Sequence, residues 1–286
     1  MASETISKSV LITGCSTGIG RATALWLAER GWKVYATARR REALADLEGK
    51  VAATLALDVC DEGSMAAAVK TVEAAEGAIG VLVNNAGYGQ EGAFEEVGME
   101  RVRVQFETNV FGLIRLTQIA LPGMRRQGWG KIVNVSSMGG KLTLPGGAFY
   151  HATKHAVEAL SDALRIEVAP FGIDVVVIEP GPIATRFGDT ATESMNQLLA
   201  NTSSAYVNLN RAIAKGIEDA YTGRMKAFAA PPEAVARAIE RAISARRPRP
   251  RYVVTAAARI LLGLKWLLPD RAFDSMLRMQ LKGFGA

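Results

Sequence analysis

VLITGCSTGIG, residues 10 to 20, is the stretch whose reading decides the fold. An apolar run reaches Thr13, glycines follow at 14, 18 and 20, and ATALWLAERG then carries helical spacing to Gly31. Glycine permits positive φ and a close approach of the backbone. A helix that starts there presents free N–H groups and the positive end of its dipole. A strand that turns through glycines straight into a helix is therefore a cradle for a pyrophosphate. The spacing is G-x-x-x-G-x-G, not the commoner G-x-G-x-x-G, and a glycine-rich turn also serves tight strand-to-helix packing. The remainder of the chain has to choose between the two.

Outward from this stretch, short β-branched runs alternate with helical patterns. After SVLIT come KVYATA (33–38), ATLALDV (53–59), IGVLVNNAG (79–87), KIVNVSS (131–137), IDVVVIEPG (173–181) and RYVVTA (251–256). Helical patterns fill 18–31, 62–76, 99–126, 150–169 and the proline-led PPEAVARAIERAISARR at 231–247. Strands that are continuously apolar and separated by helices imply a parallel sheet covered on both faces. The expectation is an α/β chain, a single Rossmann-type domain over 1–286 with a doubly wound seven-stranded parallel sheet. Within it, 8–185 reads as the cofactor-binding and catalytic core. The polar, small-residue segment 186–228 reads as a substrate-binding loop or lid. Residues 256–286 read as an amphipathic tail.

Composition excludes several classes. The 286 residues are 49% hydrophobic and 22% charged, an ordinary globular balance. The net charge of +6 is dispersed, and RRPRPR (246–251) reads as a solvated helix end and turn, so no nucleic-acid partner is expected. Cys15 and Cys60 make neither a disulfide framework nor a metal-ligand spacing, and no metal is expected. His151 and His155 read as helix-surface or interface residues. MASETISKSV lacks a signal-peptide core, and AAARILLGLKWLL (256–268) is too short and too charged to span a bilayer. A cytoplasmic setting is the default expectation.

Ligands of such sheets bind beyond the carboxyl ends of the strands. The second strand ends in YATARR, where an NAD enzyme usually carries an acidic residue for the ribose 2′-hydroxyl. Here Ala38 is followed by Arg39, which suits a 2′-phosphate, so NADP(H) is favoured over NAD(H). Ser16 adds a hydroxyl to the phosphate loop. Asp58 is a candidate acceptor for the adenine amino group or, alternatively, an ordinary helix N-cap. In FYHATKHAVEAL (149–160), Tyr150 and Lys154 stand one helical turn apart, and an ammonium so placed makes a phenol more acidic.

The ordered set TGCSTGIG (13–20), NNAG (84–87), Asn109, Ser137, YHATK (150–154) and PGPIAT (180–185) resembles the short-chain dehydrogenase/reductase family over residues 8 to 190. The resemblance implies that Tyr150 is the acid/base, that Ser137 rather than Ser136 binds the substrate oxygen, and that Lys154 holds the nicotinamide ribose. It implies that Asn109 holds a water relaying protons to Lys154. Its cofactor set is Gly14, Ser16, Thr17, Gly18, Ile19, Gly20, Arg39, Asp58, Val59, Asn85, Ala86, Gly87, Tyr150, Lys154, Pro180, Gly181, Ile183 and Thr185, with Asn84 tying adjacent strands. The glycine loop, VYATARR and the long segment after Thr185 look like the branch of 17β-hydroxysteroid and retinol dehydrogenases. The implied substrate is a hydrophobic ketone, aldehyde or alcohol walled by Met138, Leu144, Pro145, Phe149, Phe187 and Met195, residues that serve equally as core packing. Two rivals stand beside this: NAD-linked chemistry of the same family, and a non-catalytic NADP-binding regulator. The tail either caps the pocket or a subunit interface, or rests Ile260, Leu261, Leu264, Leu267 and Leu268 on a membrane surface. A homodimer or homotetramer is expected.

Overall fold

The structure, a computed structural model, describes residues 7–200, 202–221 and 229–282. Strands β1 (Ser9–Ile12), β2 (Lys33–Ala38), β3 (Ala53–Ala56), β4 (Val81–Asn84), β5 (Gly130–Val135), β6 (Ile173–Glu179) and β7 (Arg251–Val253) form one sheet. Its order is β3-β2-β1-β4-β5-β6-β7 and every pairing is parallel. The order reverses at β1, so the crevice beyond β1 and β4 is the topological switch point where ligands bind.

Alternation of side chains along each strand decides which helices cover which face. Val10, Ile12, Val34, Val81, Val83, Val133, Val176 and Ile178 point to one side, packed with α1 (Gly18–Ala28) and α8 (Pro232–Ser244). Leu11, Tyr35, Leu82, Ile132 and Val175 point to the other, against α2 (Glu62–Glu76), α4 (Gly112–Gln127) and α5 (Ala148–Val168). Small residues make these layers close. A methyl group on Gly112 would collide with the Val59 carbonyl, and one on Gly130 would sit 2.8 Å from Met124 Sδ. Cys15 is wholly buried in the first layer, where burial pushes its thiol up to about 12 and leaves it inert.

Several details differ from the sequence expectation. The helix expected over 99–126 is two helices, α3 (Met99–Phe106) and α4, joined by a π-helical turn at Glu107–Phe111. The charged stretch after β2 holds a 3-10 turn at Arg41–Leu47, with Leu44 and Leu47 buried. The expected lid is not a loop: it contains α6 (Phe187–Leu199) and α7 (Val207–Tyr221), both amphipathic. The tail forms α9 (Ala256–Leu267) and α10 (Asp270–Lys282), and α10 packs on α7 with Phe273 buried. Of the five apolar residues assigned to a membrane face, Ile260 and Leu267 are exposed, while Leu261, Leu264 and Leu268 are partly covered. No helix among the described residues is long and apolar enough to cross a membrane. Arg251 is not a solvated turn residue. It sits on β7 and pairs with Glu158 (3.0 Å), Asp162 (2.6 Å) and Glu179 (3.2 Å), which fastens the last strand to α5 and β6.

Candidate active site

The glycine loop folds as a cradle because each glycine is required by its neighbours. Gly14 and Gly18 have φ of 72° and 60°, a region closed to most side chains. A methyl on Gly20 would land on the Gly14 carbonyl and 2.5 Å from Asn85 Nδ2. Thr17 is the N-cap of α1, and its side chain makes no capping bond. The first-turn N–H groups of α1 therefore keep the open end that suits a phosphate. Ser16 and Thr17 are exposed on the rim, and Ile19 packs partly against the core.

Thr13, which the sequence reading passed over, sets the loop's position. Its Oγ1 accepts the backbone N–H of Asn85 (3.0 Å) and of Ala86 (2.9 Å). Asn85 answers by donating Nδ2 to the Thr13 and Gly14 carbonyls, at 2.8 and 3.2 Å. The side chain of Asn85 thus clamps the β1 and β4 ends together. Asn84 bridges adjacent strands, donating to Asn134 Oδ1 at 2.9 Å and Thr117 Oγ1 at 3.1 Å.

Arg39 is exposed directly after β2, with no carboxylate at that strand end. Its charge reaches Tyr88 across the switch point, where Arg39 and Arg101 oppose the upward push of burial on that phenol. Asp58 is not the cap of α2. That cap is Asp61, which accepts Ser64 N–H at 3.1 Å, while Asp58 Oδ1 accepts Cys60 N–H at 2.9 Å. Val59 is buried with its carbonyl against Gly112. Beyond β6, Pro180 is buried and Gly181 is hemmed in by Thr255. Ile183 is buried and bridges to Ala230, whose N–H and C=O bond to Pro182 and Ala184. That pairing leaves the backbone groups of Ile183 turned the other way. Thr185 lies 3.3 Å from where a Gly18 methyl would be, so the β6 loop closes on the phosphate loop.

Two of the acid–base candidates, Asn109 and Lys154, meet at Gly87. A methyl there would lie 3.0 Å from Asn109 Oδ1 and 3.8 Å from Lys154 Nζ. Lys154 is buried, donates to the Val135 carbonyl at 2.8 Å, and stands 5.8 Å from the Tyr150 ring centroid. Burial pulls its ammonium down to about 8, partly offset by the Glu158 charge one turn away. Asn109 lies in the π-helical turn. Its Nδ2 donates to the Tyr88 carbonyl (2.9 Å) and Thr153 Oγ1 (3.1 Å), and its Oδ1 accepts Tyr88 N–H. Both amide hydrogens are therefore used, and a water held at Asn109 would have to meet an oxygen or the main chain.

Two serines follow β5. Ser136 Oγ is buried near Glu158 and has no hydrogen-bond partner among the described residues. Ser137 is half-buried, and its Oγ accepts Gly139 N–H at 3.0 Å. Accepting that bond leaves the Ser137 O–H able to donate. His151, expected at a surface or interface, is buried instead. Its Nδ1 accepts Leu144 N–H at 3.0 Å, and burial pushes it down to about 4, so the ring is neutral with its proton on Nε2. His155 is exposed, as expected.

On the substrate side, Met138, Leu144 and Phe149 are half-buried and Pro145 is exposed. Phe149 stacks on Phe94 with centroids 4.8 Å apart, an apolar partner the sequence reading missed. Met195 is fully buried in the packing of α6 and offers no accessible wall. Phe187 begins α6, and its side chain lies outside the described residues. A groove of about 1290 Å³, lined by Lys8, Arg30, Lys131 and Arg165 among others, opens where the strands begin and holds none of these residues.

The family model of short chain dehydrogenases matches residues 8–196. The NADPH-dependent 3-dehydrocapnine reductase of Ornithobacterium rhinotracheale is 34% identical over 281 residues, 95% of this chain and 96% of that one. Human 17-beta-hydroxysteroid dehydrogenase type 1 is 40% identical over 206 residues, 68% of this chain and 62% of that one. A short-chain dehydrogenase structure from Streptomyces avermitilis superposes with a TM-score of 0.77 at 34% identity, covering 98% and 96% of the two chains. A Burkholderia phymatum family structure in complex with NAD gives a TM-score of 0.77 at 26% identity, covering 92% and 94%. With the parallel sheet, the glycine cradle and the Tyr150–Lys154 turn in place, the match establishes the chain as a member of the short-chain dehydrogenase/reductase family.

Proposed function

We propose that the protein is an NADP(H)-dependent oxidoreductase that reduces a hydrophobic ketone or aldehyde, or oxidises the matching secondary alcohol, with Tyr150 as its acid/base. The observation that carries this is that Gly87, beyond β4, lies against Asn109 Oδ1 and Lys154 Nζ, with Lys154 Nζ 5.8 Å from the Tyr150 ring centroid. The cradle suits a dinucleotide because Gly14 and Gly18 hold positive φ, Gly20 packs directly on the Gly14 carbonyl, and the first turn of α1 has no side-chain cap.

When bound, the reduced nicotinamide supplies a hydride to the carbonyl carbon. The protein's own part is the proton. Ser137 donates its O–H to the carbonyl oxygen and stabilises charge developing there. Tyr150 gives its phenolic proton to the same oxygen, and the Lys154 ammonium offsets the phenolate that remains. One Lys154 proton is fixed on Val135 O, and the others face the Gly87–Asn109 side, where ribose hydroxyls would lie.

Arg39, with no acidic residue at the β2 end, supports the phosphorylated dinucleotide, and the NADPH-dependent reductase from Ornithobacterium rhinotracheale supports it too. The NAD complex from Burkholderia phymatum supports the rival NAD-linked reading. A non-catalytic regulator is disfavoured because all four acid–base candidates are present together. The test is the initial rate on a panel of ketones and alcohols with each dinucleotide. The expected result is turnover that prefers NADPH, with Tyr150→Phe losing about 10²- to 10⁴-fold in rate while still binding cofactor. Equal rates with NADPH and NADH would remove the role given to Arg39. Undiminished turnover in Tyr150→Phe would remove the role given to Tyr150.

A further inference from the structure

The loop after β4 carries three carboxylates, and two are spoken for. Glu95 accepts the Tyr206 hydroxyl at 2.7 Å, and Glu96 accepts Ser204 Oγ and Asn210 Nδ2. Glu91 differs. Its main chain is pinned to α6, with N–H donating to Ser194 Oγ at 3.2 Å and C=O accepting from the same hydroxyl at 3.3 Å. Its carboxylate has neither a hydrogen-bond donor nor a cation among the described residues. Part of the residue stays accessible, yet burial pushes its carboxyl up to about 7.

The position of this carboxylate is defined by Gly147. A methyl at Gly147 would lie 3.1 Å from Glu91 Oε2 and 3.1 Å from His151 Nε2. On another side of the same imidazole, a methyl at Gly139 would lie 3.0 Å from Nε2, and Gly139 N–H holds Ser137 Oγ. The lone carboxylate and the serine hydroxyl thus flank one ring. His151 does not neutralise Glu91, because its Nδ1 is held as an acceptor by Leu144 N–H and the ring is neutral. Lys154 is committed to Val135 and the cofactor side. At the next residue, the apolar side chain of Leu198 lies over Gly92.

We propose that Glu91 is a cation subsite beside the reacting carbon, so that the preferred substrate is an apolar ketone or alcohol bearing an ammonium group close to the carbonyl or hydroxyl. This rests on the oxidoreductase reading of the site and names its substrate class. A carboxylate taken from water without a partner is costly to keep ionised. A ligand ammonium removes that cost by pairing with it, whereas a neutral ligand of the same shape leaves it unpaired. Discrimination between the two therefore comes from the pair.

The experiment uses the full chain with saturating NADPH and two compounds. One is a medium-chain alkyl ketone with an amino group on the carbon next to the carbonyl. The other carries methyl in place of the amino group. The wild-type protein is expected to prefer the amino ketone in kcat/KM. Glu91→Gln is expected to lower that ratio about 10- to 100-fold, through KM more than kcat, the range for losing a charged hydrogen bond. Glu91→Asp should recover part of it. Because Gln copies the shape of a protonated Glu, a packing role leaves the ratio unmoved, and an unchanged ratio in Glu91→Gln overturns the proposal. So does a wild-type preference for the methyl ketone. Turnover of neither compound, with NADPH or NADH, overturns instead the oxidoreductase reading on which the proposal stands.

Discussion

Lys154→Met tests the electrostatic coupling at the centre of the site. In the wild-type protein a buried ammonium stands 5.8 Å from the Tyr150 ring centroid. At an effective dielectric of about 20, a unit charge about 6 Å away is worth about 3 kcal/mol to an ionising phenol, or about 2 pH units. Methionine keeps the length of the side chain and removes the charge. The acidic limb of alcohol oxidation, where the base must be unprotonated, should then move up by about 2 pH units, and the rate on that limb should fall about 100-fold. The charge of the oxidised cofactor acts in both proteins, so the difference belongs to the lysine. The effect has an upper bound in pH. Burial pulls Lys154 down to about 8, so above that the wild-type protein sheds the same charge and the two profiles converge.

The assay is kcat/KM for a secondary alcohol against pH at saturating cofactor, for the wild-type protein, Lys154→Met and Lys154→Arg. Saturation separates the proton effect from weaker ribose binding. Arginine keeps the charge and should leave the limb near its wild-type position even if cofactor affinity drops. A thermal melt guards against misreading, since losing the donor to Val135 costs about 1–3 kcal/mol of stability on its own. If the Lys154→Met limb stays within about half a pH unit of wild type, the ammonium does not tune the base and the coupling is wrong.

Other substitutions probe the rest of the cradle and its supports. Gly20→Ala places a methyl on the Gly14 carbonyl and 2.5 Å from Asn85 Nδ2. It should cost about 1–3 kcal/mol in denaturant unfolding and weaken dinucleotide binding, and a neutral result would mean the loop can move aside. Arg39→Asp should lower the NADPH-to-NADH ratio of kcat/KM by about 100-fold or more, since it removes a charged hydrogen bond and adds repulsion. A constant ratio would show that Arg39 is only a surface charge. Glu179, buried beside Glu158, has its carboxyl pushed from 4.5 up to about 7, chiefly by burial and then by the Glu158 charge. A raised folded-state value means that the fold favours the protonated form. That contribution is full below about pH 4.5 and is lost as pH rises through about 7. Glu179→Gln, which holds the neutral form at every pH, should flatten that fall. Urea midpoints at pH 5 and pH 8 that shift by the same amount in both proteins would refute it.

The sheet was readable because its physics is local. Each strand is a short apolar run, each helix that covers the sheet (α1, α2, α4, α5 and α8) has a glycine or proline at an end, and a parallel sheet needs both faces covered. The glycine turn between β1 and α1 was readable for the same reason, since Gly14, Gly18 and Gly20 are demanded by backbone geometry within a few residues. What the sequence hid depends on distant partners. Nothing in ERVRVQFETNVFGLIRL marks a π-helical turn, because the extra residue is accommodated by Tyr88 and Thr153 bonding to Asn109 from other elements. His151 looked like a surface histidine because its burial comes from Gly139 and Gly147 fitting against the ring. Glu91 sits in QEGAFEEV, where three acids suggest a solvated loop, and only the pairing of Glu95 and Glu96 with the 204–210 region singles it out. Those two glycines beside HATK were the available signal for a packed histidine.

This division follows the construction of the site itself. The reacting half hangs from strand ends that buried polar bonds hold in register: Asn84 to Asn134, Asn134 to Ser161, Lys154 to Val135. Such bonds are satisfied only in one arrangement, so these strand ends and Lys154 are fixed before any ligand arrives. The other half, α6 and α7, meets the rest through the Glu91–Glu96 loop: Ser194 on Glu91, Leu198 on Gly92, Asn210 on Ala93 and Glu96. For the oxidoreductase proposed above, substrate choice would then have a physical address separate from the chemistry. Exchange of residues in 88–97 and α6 should alter which ketone or alcohol is taken while the pH profile set by Tyr150 and Lys154 stays in place. A substitution at Glu91 that moved the pH limb as much as Lys154→Met does would show that the two halves are not independent.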